Sequence, residues 1–392
     1  MRSYLIVFLS CTGLALALFA AGPYYFLRSH GEYLSGREIA ERQKEDPSLI
    51  YGSALRDDAS CKIHALELRN PKILALGSSR VMQFRQHSFR EDFYNLGGLM
   101  NSIHEGHAIS KLILEKNPSL IILGIDFFWF HGDLQKPRAY DGQPPATYQP
   151  VLRPKDITRT LKYFLKGKIE LSHAENLGLA GKAGNGFGFD GFRHYGRILT
   201  GREKSPDQGF RNTLARMERA DWRFDHAEFA DPGHVRNFVD LIRRLESRGA
   251  STILFFPPFA RPVNEKMVSM GKSYAYVRDL KRQLDKAGVV YADYTDATAI
   301  GSSDCEFVDG FHGGEITYAR ILKDMARGND DLRSLLNLAF LETLITENAG
   351  RACSPESIPG SLPEIDFLEL GCSKDVSPGQ LLPSLDSAPD SN

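Results

Sequence analysis

Charge of one sign is what this 392-residue chain lacks most plainly: 48 Lys+Arg stand against 49 Asp+Glu, a net charge of −1. With a pI near 6.8 it has no global field to hold a polyanion, so nucleic-acid binding is not expected. Long apolar runs are also scarce. A mean hydropathy of −0.29 excludes a polytopic membrane protein and leaves room for one span. Cysteine is sparse: five residues with no CxxC pair, which excludes zinc-ribbon and thioredoxin-like motifs. There is no Walker A pattern. His104-Glu105-Gly106-His107 has the wrong spacing for HExxH, and Gly186–Gly191 matches GxGxxG without a preceding strand, so neither a metal nor a nucleotide cofactor is expected.

The one apolar run is Leu5 to Gly22, 18 residues without a charge. As a helix it is ~27 Å long, enough for a hydrocarbon core, and Tyr24, Tyr25 and Phe26 follow as an interfacial belt would. An uncleaved anchor over residues 1–28 is favoured over a cleaved signal peptide, because Pro23 would follow the cut directly. The remainder is then expected outside the cytoplasm, in the periplasm. Cys61, Cys305, Cys353 and Cys372 allow three pairings; the Cys353/Cys372 spacing would close a small loop.

Further organisation follows from hydrophobic periodicity. Residues 29–65 are polar and read as a stalk. Short apolar runs at 72–77, 92–98, 119–126, 251–257 and 289–294 read as buried parallel strands. Between them lie helical patterns at 80–89, 102–117, 232–248, 264–286 and 315–328. The expectation is an α/β domain over 66–330 with about five parallel strands and helices on both faces. A Pro- and Gly-rich insertion occupies 133–210, helical near 156–167; a last helix covers 331–350, and 351–392 reads as a disordered acidic tail.

In a parallel sheet, ligands sit beyond the carboxyl ends of the strands. Gly77-Ser78-Ser79-Arg80 ends the first strand there, and Asp309-Gly310-Phe311-His312 precedes the last helix of the domain. A serine at such a turn presents its hydroxyl outward, although a plain helix cap is the common role of serine there. Asp309 is three residues from His312, so its carboxylate can set the imidazole tautomer and leave the other nitrogen to take a proton from serine.

ILALGSSR and VDGFH resemble the first and last signature blocks of the SGNH/GDSL hydrolase superfamily. FYNLGG resembles the second block and LIILGID the third. The resemblance implies a three-layer, flavodoxin-like SGNH fold, with Ser79 as nucleophile, His312 as general base and acid, and Asp309 as orienter. It implies an oxyanion hole from the Ser79 N–H and a second-block N–H at Gly97 or Gly98, with Met100 and Asn101 as alternatives. Two positions depart: Ser78 stands where the family has Asp, and Asp126 where an Asn side chain donates. An ionised carboxylate cannot donate, so either Asp126 is protonated or Asn101 or Arg80 completes the hole. Arg80, Asp126, Trp129 and His131 are candidate substrate contacts; the aromatic pair is a sugar-stacking wall or simple packing onto the sheet edge.

Such departures resemble the membrane-tethered branch, whose members move acyl groups onto envelope polymers, often beside a membrane-bound acyltransferase. The expected activity is therefore O-acyl transfer or ester hydrolysis on a polysaccharide. The alternative is a non-catalytic polysaccharide-binding or assembly subunit.

Overall fold

A computed structural model describes residues 2–55, 61–131, 153–165 and 175–375. The chain divides into two compact units, one of residues 1–68 and 145–189 and one of residues 69–144 and 190–392.

In the first unit, the helix Arg2–Ser29 leads into Gly36–Glu45, which Ser35 and Glu38 start with a reciprocal capping box. Residues 29–55 are not the stalk expected from their polarity. Ile39, Ala40, Leu49, Ile50 and Tyr51 are buried, and Tyr51 bridges to Leu177 and Phe187. Gln43 donates from Nε2 to the carbonyls of Leu49 (3.0 Å) and Phe187 (2.8 Å). A polar sequence thus folds here because its helix Gly36–Glu45 packs on the helix Cys61–Glu67 and because Ile50 and Tyr51 meet chain from beyond residue 175, which periodicity does not register. The expected anchor 5–22 lies on the helix Arg2–Ser29. Among the described residues no helix is long and apolar enough to cross a membrane, the side chains of 15–19 lying outside the description.

The second unit holds a parallel sheet of β1 (Ile73–Leu76), β2 (Phe93–Asn95), β3 (Leu120–Gly124), β4 (Ser251–Phe256) and β5 (Ala292–Asp293). Its order is β2-β1-β3-β4-β5. The register pairs Ile73 with Phe93 and Leu120, and Leu120 with Ser251. Side chains alternate across the sheet. Ile73, Ala75, Leu120 and Ile122 join a core with Ile316, Tyr318, Ile321 and Leu322 of the helix Glu315–Met325 and with Leu341 and Leu344. Leu74, Leu76, Ile121 and Leu123 point the other way and are equally buried. The helices Ile103–Lys116 and Pro232–Glu246 pack against each other, and the latter also contacts β4. This is the expected α/β class with five parallel strands.

Three local expectations change. Residues 80–89 form two single 3-10 turns, Ser79–Val81 and Gln86–Ser88, in place of a helix. The patterns at 264–286 and 331–350 each break into two helices, at Gly271 and at Leu336–Asn337. Residues 351–375 are folded, not disordered: Ala352, Cys353, Ile358, Ile365, Phe367 and Leu368 are buried. A disulfide joins Cys372 to Cys305, so Cys353 stays a buried thiol. Acidic composition misled because Glu364, fully buried, is matched by Lys374 Nζ at 2.5 Å. The rest of the expected tail, 376–392, and the insertion segments 133–152 and 166–174 lie outside the described residues.

Candidate active site

Strand order reverses beside β1, whose neighbours are β2 and β3, and this switch point is where a doubly wound sheet opens a crevice. Gly77 leaves β1 with φ +153°, a side chain there crowding Val81 at 3.0 Å. Ser78 is fully buried and its hydroxyl accepts the Arg80 N–H at 3.2 Å. The capping role open to a serine at this turn thus falls to Ser78. Ser79 is left half-exposed with its hydroxyl directed elsewhere.

It is directed at His312. Ser79 Oγ lies 2.8 Å from His312 Nε2. His312 Nδ1 lies 2.8 and 2.9 Å from the two Asp309 carboxylate oxygens. A carboxylate only accepts, so Nδ1 carries the proton and Nε2 is the acceptor for the serine hydroxyl. The His loop is closed on itself: Val308 N–H donates to the His312 carbonyl at 2.9 Å. Asp309 Oδ1 also accepts the N–H groups of Phe311 (2.8 Å) and His312 (2.7 Å). Burial alone would push the Asp309 carboxyl up, but the electrostatic interaction with His312 and these hydrogen bonds outweigh it and hold it below the usual carboxylate range. The expected Ser79, His312 and Asp309 therefore meet in one hydrogen-bonded row, 233 residues apart along the chain at its first link.

Arg80 and Asp126 do not face a substrate. Their side chains are 2% and 0% exposed and pair at 3.1 Å. Arg80 also donates to the carbonyls of Phe311 (3.2 Å), Pro257 (2.7 Å) and Pro258 (2.7 Å). Its guanidinium stacks on Phe259 at 4.1 Å and Phe311 at 4.6 Å. Arg80 is thus a bolt between the serine turn, the turn after β4 and the His loop. Asp126 Oδ1 accepts from it, and Asp126 Oδ2 is buried with no hydrogen-bond partner among the described residues. Trp129 is 1% exposed and packs on Phe238, which corrects the stacking-wall expectation: this residue packs the loop onto the body. His131 is half-buried, its Nε2 3.3 Å from the His226 carbonyl.

The second-block N–H groups are engaged inside the protein. Gly97 N–H donates to Asn95 Oδ1 at 2.7 Å, Gly98 and Met100 to the Gly77 carbonyl at 3.0 and 3.2 Å, and Asn101 to Glu105 Oε2 at 2.5 Å. The Asn101 side chain donates to the Gly98 carbonyl and accepts from Arg223. Among the described residues the N–H groups of Ser78 and Ser79 have no acceptor at this turn. The Ser79 N–H belongs to a single 3-10 turn, so no helix dipole assists it.

Sequence reading missed Asp207. This buried carboxylate accepts the Gly310 N–H at 2.8 Å and the Thr213 N–H and hydroxyl at 2.9 and 2.7 Å. It fastens the His loop from behind. Gly310 must be glycine there, since a Cβ would lie 2.8 Å from Val263 and 3.0 Å from Thr213. A Pro-Asp pair ahead of a helical stretch was the only local signal.

Among the described residues no group of three His, Cys, Asp or Glu side chains could hold a metal ion. In comparisons with known proteins, no family model, no curated protein and no solved structure matches the chain.

Proposed function

We propose that this chain is an SGNH-type serine acyl-transfer protein acting on O-acyl groups of an envelope or exported polysaccharide. The observation that carries the reading is the Ser79–His312–Asp309 row, with 2.8 Å at each link. In this reading Ser79 Oγ attacks an acyl carbonyl while His312 Nε2 takes its proton. Asp309 steadies the imidazolium, and the Ser79 N–H meets the developing oxyanion. His312 then returns the proton to the departing alcohol. Attack on the acyl-enzyme by water gives hydrolysis, and attack by a sugar hydroxyl gives transfer.

Position outside the cytoplasm agrees with the Cys305–Cys372 disulfide, a bond that persists in oxidising compartments. The apolar run 5–22 is read as a single-pass anchor, supported by the exposure of Leu5, Ile6, Val7, Phe8 and Leu9 on their helix. A membrane-bound acyltransferase is the partner that the family resemblance implies.

One observation favours a second reading. With the N–H groups of Gly97, Gly98, Met100 and Asn101 engaged, a two-donor hole is not assembled, as suits a polysaccharide-binding subunit without turnover. Fluorophosphonate labelling and p-nitrophenyl acetate hydrolysis separate the two. The first reading expects labelling of the wild type, its loss in Ser79→Ala and a fall in turnover of about 10³-fold or more. A wild type that never labels yet retains polysaccharide in a pull-down supports the second. Undiminished labelling of Ser79→Ala removes Ser79 from the role.

A further inference from the structure

The chain has two tryptophans. Trp129 is buried, whereas Trp222 is 53% exposed. The loop that carries Trp222 holds Ala220, Trp222 and Arg223 at φ +52°, +36° and +74°. Non-glycine residues adopt this region at a cost of about 1 kcal/mol or more each, and such clusters are found at ligand clamps. Around the indole the contacts are cationic. The Arg216 guanidinium lies 4.7 Å and the Arg223 guanidinium 5.0 Å from the ring centre. Arg216 Nη2 also donates to the Trp222 carbonyl at 3.0 Å, tying the loop down.

This loop borders the triad. Arg216 stacks at 5.0 Å on Phe224, which packs at 5.3 Å on Phe311, the residue before His312. Arg223 donates to Asn101 Oδ1 at 2.7 Å and stacks on Phe128, both beyond carboxyl ends of the sheet. Among the described residues no carboxylate lies within ion-pairing distance of Arg216, and its buried Nε has no acceptor. Burial pulls its guanidinium pKa down, with Asp309 first among the charges that oppose the shift.

We propose that Trp222 and Arg216 form a subsite for an acidic sugar, a uronate-like unit of the polysaccharide that brings its acyl group to Ser79. The apolar face of the pyranose packs on the indole, and the carboxylate meets an arginine that makes no close ion pair within the described residues, the carboxylates of Asp309, Asp207 and Asp221 acting on it from further away. The inference rests on the acyl-transfer reading for its link to Ser79, but the binding itself does not.

The test uses the full-length protein in detergent, with acrylamide quenching of tryptophan emission. The two probes are a galacturonic acid hexamer and maltohexaose. The acidic hexamer is expected to shield the exposed, red-emitting component by at least half at saturation, and maltohexaose to leave it unchanged. By calorimetry, Arg216→Gln and Trp222→Phe are each expected to weaken hexamer binding at least tenfold. Equal shielding by maltohexaose overturns the acidic preference, and shielding by neither overturns the subsite. Fluorophosphonate labelling in the same preparation keeps the two ideas apart. Shielding without labelling sinks the acyl reading alone, and labelling without shielding sinks the subsite alone.

Discussion

A buried guanidinium needs its charge and its donors matched, and Arg80 finds Asp126 and three carbonyls from two other segments. Removing it leaves Asp126 without its partner in a site with no exposure. Arg80→Met is expected to cost about 3–5 kcal/mol, read from the urea midpoint, because breaking a buried pair strands its partner. A change below 1 kcal/mol contradicts the bolt assigned to it. Asp309→Asn tests the tautomer directly. The amide oxygen can still accept the Phe311 N–H, so the loop is expected to hold, while an NH2 donor takes the place of the Oδ2 that meets His312 Nδ1 at 2.8 Å and disturbs the tautomer. Turnover of p-nitrophenyl acetate is expected to fall on the order of 10⁴-fold with the melting temperature little changed.

At the scale of elements, the decisive feature is how the segment 351–375 is fastened. The Cys305–Cys372 bond spans 67 residues and ties this segment to the stretch just before the His loop. Cross-linking a loop of that length stabilises by up to about 4 kcal/mol in the chain-entropy account. Reduction with dithiothreitol, or Cys305→Ser, is expected to lower the unfolding free energy by about 2–4 kcal/mol. Lys374 acts beside the bond, donating to the carbonyls of Cys305 (2.8 Å) and Gly350 (2.7 Å) as well as to Glu364. An unchanged unfolding curve after reduction, with free thiols verified, rules out a fastening role.

For the whole molecule, acid sensitivity has an identifiable source. Burial pulls His194 down to about 4, with the Arg85 charge adding to it, against the Ser357 carbonyl 2.8 Å from Nδ1. Its folded value lies below the unfolded value of about 6.5. Between these two pH values the unfolded chain binds more protons, so stability rises with pH across the window. The contribution is complete above pH ~6.5 and is lost as the pH falls toward 4. The melting temperature of the wild type is expected to drop over that range, and His194→Gln to flatten the slope. A slope identical in both proteins assigns the acid sensitivity to other groups.

Much of this was legible in the chain itself. Short runs ending in Gly or Pro marked four of the five strands, because a strand buried on both faces is continuously apolar up to its turn. Ser79 at the first strand end and Asp309 with His312 in one loop were readable because turn chemistry and three-residue spacing are local. What local pattern could not carry was every property that depends on distant atoms. Arg80 beside a serine turn read as a substrate contact, and only packing turned it inward to Asp126 and the Pro257 and Pro258 carbonyls. The partner of Cys305, the order in 351–375 and the engagement of the Gly97 and Gly98 N–H groups are of the same kind. Each is settled by which donor, acceptor or sulfur arrives from elsewhere in the chain, and that is a matter of tertiary contact, which composition and periodicity do not encode.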